Sequence, residues 1–187
     1  NHARVVSIRT VAARAVGADV EADGTTFAVQ ARCVINAAGP WVDHVRRLED
    51  PAATPSVRLS KGVHALVPLP DPWKVALTIA QDEVRVTFAV PWYGMLLLGT
   101  TDTAYEGDPG EVRVAPEDVA TILREAAVAL ELDSLTHPAA VLSTYAGLRV
   151  LPAGEGESVN ARRETVYSVG RGGVVSVAGG KLTTYRR

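Results

Sequence analysis

Residues 174–184, Val174-Val175-Ser176-Val177-Ala178-Gly179-Gly180-Lys181-Leu182-Thr183-Thr184, pass from a β-type run through two glycines into what reads as the start of a helix. Glycine lets the backbone come close to a ligand, and a helix N-terminus presents free N–H groups at the positive end of its dipole. Such a junction suits an anion or an electron-rich ring carbonyl, with Lys181 as a movable cation; it serves equally well as a plain structural turn. The spaced glycines of a P-loop are absent. The same strand-then-glycine pattern recurs at Val34-Ile35-Asn36-Ala37-Ala38-Gly39-Pro40-Trp41. There Pro40 suits the first helical position, and apolar residues 41, 42, 45 and 48 fit one helical face.

Working outward, residues 4–38 read as a meander of about four short strands, with Gly17 and Asp23-Gly24 as turns. Pro51 and Pro55 break the chain after the helix that follows. Runs 57–59, 63–67, 75–79, 84–90 and 95–101 then alternate with Pro and Gly turns, as in an antiparallel sheet. Pro116-Glu117-Asp118 opens a helix whose Val119, Ile122, Leu123, Ala126 and Leu130 repeat at helical spacing. Further β-type stretches cover 141–151, 165–169 and 174–177, with Gly170-Arg171-Gly172-Gly173 as a hairpin turn. Residues 60–150 hold most of the sheet and this helix, so they are expected to pack best.

Of the 187 residues, 47% are hydrophobic and 21% charged, a globular composition. The net charge of −2 argues against a nucleic-acid protein. Charge is uneven, however: the first 147 residues carry −6 and the last forty +4, so an anion is a candidate ligand of the C-terminal part. The single cysteine, Cys33, excludes an internal disulfide, and its strand-like flanks predict a small buried hydrophobe. No run approaches the ~18 apolar residues of a membrane span. Residue 1 is Asn, the chain opens directly into a strand, and it ends within an apparent helix, so an excised piece of a longer protein is expected.

Arg149, inside the apolar run Tyr145-Ala146-Gly147-Leu148-Arg149-Val150-Leu151-Pro152, is a permanent charge that should meet either a carboxylate or a ligand anion. Gly99-Thr100-Thr101-Asp102 either orders a turn or lines a pocket. The four histidines show no ligand spacing, no metal site is expected, and His64 reads as an ordinary hydrogen-bonded histidine.

Taken together, Asn36-Ala37-Ala38-Gly39-Pro40-Trp41, Ser60-Lys61-Gly62-Val63-His64, Gly99-Thr100-Thr101-Asp102 with Tyr105-Glu106-Gly107-Asp108-Pro109, Tyr145 to Pro152, and Gly179-Gly180-Lys181-Leu182-Thr183-Thr184-Tyr185-Arg186 resemble the FAD-dependent, quinone-linked glycerol-3-phosphate dehydrogenases. The resemblance implies an α+β chain. An antiparallel or mixed β-sheet substrate domain with flanking helices (residues 55–144) would interrupt a partial FAD-binding domain of the amino-acid-oxidase-like flavoprotein fold (1–54 and 145–187). It implies Arg149 and Lys181 as the catalytic basic residues beside the flavin, and Gly39 with the backbone of Gly180, Leu182, Thr183 and Thr184 as flavin-lining. The implied reaction is hydride transfer from sn-glycerol 3-phosphate to FAD, giving dihydroxyacetone phosphate, with electrons passed to quinone. The parent would be cytoplasmic and peripheral to the inner face of the membrane.

The Gly-x-Gly-x-x-Gly loop of such folds does not occur in these residues, so the 187-residue chain is expected neither to hold stoichiometric FAD nor to be active alone. Exposed strand edges make a homodimer possible. Two alternatives stay open: a glycerol-3-phosphate oxidase or related flavin oxidase of the same fold, and a non-catalytic binding or structural domain.

Overall fold

The computed structural model describes residues 2–70, 73–82, 85–133, 137–154 and 165–180. They divide into two compact units. The first gathers the described residues up to 58 with 150–154 and 165–180, and the second comprises those from 59 to 149. The division falls a few residues beyond the expected 54/55 and 144/145.

In the first unit, β1 (Ala3–Val11), β2 (Arg14–Ala22) and β3 (Thr25–Gln30) form an antiparallel meander. The Asp23-Gly24 turn is as read: both residues have positive φ, +50° and +72°, the geometry of a tight hairpin. Gly17 is a correction. It lies inside β2, between Arg9 of β1 and Gln30 of β3, and the β1–β2 turn is made instead by Ala12 and Ala13 at φ +48° and +61°. Glycine is needed at 17 because a Cβ there would lie 2.0 Å from the Val29 carbonyl oxygen.

The expected fourth meander strand is also corrected. β4 (Ile35–Asn36) leaves the meander and pairs in parallel with β12 (Val175–Gly179), which pairs antiparallel with β11 (Thr165–Val169). Cys33 precedes β4 in non-strand backbone and is exposed, because the strand is shorter than its apolar flanks suggest. A short 3-10 turn, Gly39–Trp41, leads into α1 (Val42–Glu49), which packs on β1, β4 and β12. Ile8, Ala15 and Val174 form the buried centre. The 170–173 turn is a hairpin as read. The Glu49 carboxylate accepts from its Gly172 and Val174 amides at 2.7 and 3.1 Å.

The second unit is built on an antiparallel sheet. β5 (Val57–Pro68) is one long strand where two were read. With β6 (Leu77–Ala80), β7 (Val86–Trp92), β8 (Met95–Gly99) and β10 (Ser143–Pro152) it gives the order β10-β5-β8-β7-β6, and β9 (Thr103–Tyr105) pairs with the first half of β5. α2 (Pro116–Leu130) covers one face. Its Ile122, Leu123, Ala126 and Ala127 pack on Val63, Ala65, Val67, Ala89, Leu96 and Leu98, a larger core than that of the first unit, as expected. Asp118 fixes the helix start: its carboxylate accepts from the Ala115 amide and pairs with Lys61 at 2.6 Å. Among the described residues no helix is long and apolar enough to cross a membrane.

Candidate functional site

In the first unit the two-residue β4 runs parallel to the first residues of β12, in register Val175 to Ile35 and Ser176 to Asn36, and the Gly39–Trp41 turn that follows it lies against β12. Asn36, 3% exposed, ties the junction together. Its amide donates to the Val42 carbonyl (2.9 Å) and the Ser176 hydroxyl (3.1 Å), and its carbonyl accepts from the Ala38 amide. At these strand ends Gly39, Gly179 and Gly180 all adopt positive φ, +56°, +74° and +78°. A Cβ on Gly39 would point into open space, whereas one on Gly180 would lie 2.8 Å from the Thr165 hydroxyl.

Ligands of parallel α/β sheets sit beyond the carboxyl ends of the strands, where glycine backbone admits close approach. Two glycine-bearing ends held together by a buried asparagine therefore fit a large, flat, hydrogen-bonding group such as a flavin. The sequence-predicted Gly39 and Gly180 are both here; Lys181, Leu182, Thr183 and Thr184 lie outside the described residues.

A polar cluster occupies the second unit. Strand alternation places Lys61, Val63, Ala65 and Val67 of β5 toward α2 and Ser60, Gly62 and His64 on the opposite face. Arg149 of β10 lies on that opposite face. Its guanidinium donates to the Thr100 hydroxyl (2.8 Å), the Thr101 carbonyl (3.2 Å) and the Ser60 hydroxyl (3.3 Å), and pairs with Asp102 at 3.7 Å. Ser60, 1% exposed, donates in turn to the Asp102 carboxylate. Gly62 makes the space: a Cβ there would sit 2.7 Å from Arg149 Nη2 and 2.7 Å from the Thr100 hydroxyl. Of the two partners the sequence left open for Arg149, a carboxylate is present, and the Gly-Thr-Thr-Asp segment wraps the guanidinium.

His64 corrects its sequence reading. Its Nδ1 is buried without a hydrogen-bond partner, and its ring stacks on Tyr145 with centroids 4.9 Å apart. Gly99, its cross-strand neighbour, leaves room for the ring, since a Cβ there would lie 2.7 Å from His64 Cδ2. Burial, and then the positive charge of Arg149, hold the imidazole below the ordinary histidine pKa. The unfolded chain, with its histidine near 6.5, then binds more protons than the folded one as pH falls below that value, so acidification destabilises the fold. Urea titrations between about pH 5 and 7 should show stability falling with pH, and His64→Gln should reduce that slope. An unchanged slope would assign the pH dependence to other groups.

Ser60, Gly62 and His64 are not among the site residues the sequence predicts, although their i, i+2, i+4 spacing in a β-type run puts small and polar residues on one face. Among the described residues no group of three or more His, Cys, Asp or Glu could hold a metal.

A profile of the family described as FAD dependent oxidoreductase matches residues 1–186. A Mycobacterium leprae protein named glycerol-3-phosphate dehydrogenase is 34% identical over 186 residues, 98% of this chain and 32% of that protein. The X-ray structure of the glycerol-3-phosphate dehydrogenase from Bacillus halodurans complexed with FAD superposes with a TM-score of 0.83 at 34% identity, over 100% of this chain and 36% of that one. The L-α-glycerophosphate oxidase from Mycoplasma pneumoniae shares the fold, with a TM-score of 0.67 at 15% identity, over 95% of this chain and 44% of that one. The chain thus spans about a third of the length of the curated relatives it matches.

Proposed function

The chain belongs to the FAD dependent oxidoreductase family, and on that premise we propose that it is the central and C-terminal part of a flavoprotein that oxidises sn-glycerol 3-phosphate to dihydroxyacetone phosphate. The observation that carries this reading is the superposition, along the whole chain, on a glycerol-3-phosphate dehydrogenase that holds FAD. The glycine-bearing strand ends and the Arg149 cluster are what such an enzyme requires: a cofactor cradle, and a fixed cation for an anionic substrate.

When bound, FAD supplies the acceptor for the hydride that leaves C2 of the substrate. The backbone at Gly39, Gly179 and Gly180 would hold the cofactor, together with that of Lys181, Leu182, Thr183 and Thr184. Arg149, a permanent cation held in one place, takes the phosphate. Lys181 is assigned in this reading to the C2 oxygen, where negative charge would grow as the hydroxyl loses its proton. Residues 1–54 and 145–187 belong to the FAD-binding domain in this reading, and 55–144 to the substrate domain. In this reading the acceptor would be a quinone, and the protein cytoplasmic and bound peripherally to the inner face of the membrane.

The test uses the intact gene product. It should purify yellow, with one FAD per chain, and reduce a quinone analogue when given sn-glycerol 3-phosphate, while the isolated 187-residue chain holds less than stoichiometric flavin. Oxygen uptake in place of quinone reduction would make it an oxidase, and a colourless intact product would leave a non-catalytic binding domain.

A further inference from the structure

We propose that Asp102, acting through the Ser60 hydroxyl, is the positioning residue that fixes the Arg149 guanidinium, and that Gly62 is the space this arrangement requires. The inference rests on the reading of Arg149 as a substrate-binding residue, and it concerns what holds that residue in place.

A serine hydroxyl has one hydrogen. In Ser60 that hydrogen goes to the Asp102 carboxylate, which leaves the oxygen lone pairs turned to accept from Arg149 Nη1 at 3.3 Å. The relay is directional because the acceptor is ionised: a carboxylate at 102 can only accept, so Ser60 can only donate to it. Ser60 is 1% exposed, and the Asp102 side chain 11%, so water competes poorly for either group. At 3.7 Å the Asp102 oxygen lies beyond a direct hydrogen bond to Nη1 but close enough to compensate its charge.

On the other edge of the guanidinium, Nη2 is held by the Thr100 hydroxyl and the Thr101 carbonyl. The group is thus gripped at both terminal nitrogens by Ser60 and the Thr100-Thr101-Asp102 segment. Its broad face passes over Gly62, where a Cβ would come within 2.9 Å of Cζ. A long side chain that would otherwise sample many rotamers is confined to one, which lowers the ordering cost of binding an anion.

The test is chemical rescue in the full-length flavoenzyme. In Arg149→Ala, added guanidinium ion should enter the vacated space and restore kcat/KM by roughly 10- to 100-fold, the worth of a charge-assisted hydrogen bond. The double variants Arg149→Ala/Asp102→Asn and Arg149→Ala/Ser60→Ala should lose that rescue while keeping full flavin content, a pattern that a merely structural Asp102 would not produce. Equal rescue in single and double variants would overturn the positioning role.

A second measurement is independent of turnover. The two Arg149 Nη groups should give separate, slowly averaging NMR signals in the wild-type holoenzyme, and these should coalesce in Asp102→Asn. Slow rotation that persists in Asp102→Asn would overturn the proposal even if Arg149 proves unnecessary for activity. An Arg149→Ala enzyme with normal kinetics would instead count against the substrate-binding reading alone.

Discussion

Gly17→Ala should destabilise the chain by about 3 kcal/mol, seen as a melting temperature lower by roughly 6–12 °C for a chain of this size. The added Cβ would stand 2.0 Å from the Val29 carbonyl oxygen and 3.0 Å from its carbon. Neither atom is the end of a mobile side chain. Both belong to β3, whose register with β2 is fixed from Gly17/Gln30 to Ala22/Thr25, so relief requires the two strands to part. The φ of +152° at this position adds backbone strain for any residue with a side chain. Thermal melts of wild type and variant, followed by circular dichroism, check the result; a melting temperature within about 1 °C of wild type would show that β2 and β3 do not approach this closely.

On the proposed function, Lys181→Ala in the full-length protein should lower kcat by ~10²–10³-fold with a modest change in KM, as when one donor to a developing oxyanion is removed. Arg149→Ala should act mainly on KM. The substrate phosphate is charged before and after the hydride leaves, so a cation bound to it stabilises ground and transition states alike, whereas charge on the C2 oxygen appears only as the reaction proceeds. Steady-state kinetics with a quinone analogue separates the two effects. The opposite pattern would exchange the two roles, and two nearly normal enzymes would remove both residues from the site.

What the sequence disclosed about the fold depended on whether the signal was local. Asp23-Gly24 announces its hairpin because both residues tolerate positive φ, and α2 announces itself through its proline, its acids and its apolar period. Gly17 misleads for a physical reason: glycine serves a turn and a close backbone approach equally, and only the partner strand distinguishes them. Ala12 and Ala13 carry no turn signal, yet the meander bends there. The parallel pairing of β4 with β12 joins residues 140 positions apart through Asn36 and Ser176, which no local pattern can reveal. The two strand-to-glycine junctions were each legible, but not that they meet.

The site was legible to a similar degree. Arg149 stood out because an apolar run makes a charge conspicuous. Asp102 is legible only as part of a segment that either orders a turn or lines a pocket, and Ser60, Gly62 and His64 do not stand out, since their importance lies in sharing one face of a sheet with Arg149. His64 was misread because an unpaired buried nitrogen cannot be told from a bonded one without its surroundings.

The boundary between the two units runs through β5 and β10, which are neighbours in one sheet. On one side of that boundary the Ala153 amide bonds the Ser56 carbonyl, and on the other the Ser60 side chain meets that of Arg149. The segment from 59 to 149 therefore begins and ends about one strand spacing apart, ~4.8 Å. Such a segment is a cassette: a different sheet could be spliced between Arg58 and Val150 without stretching the chain that receives it, and its own ends could be joined by a short linker to give a circular permutant.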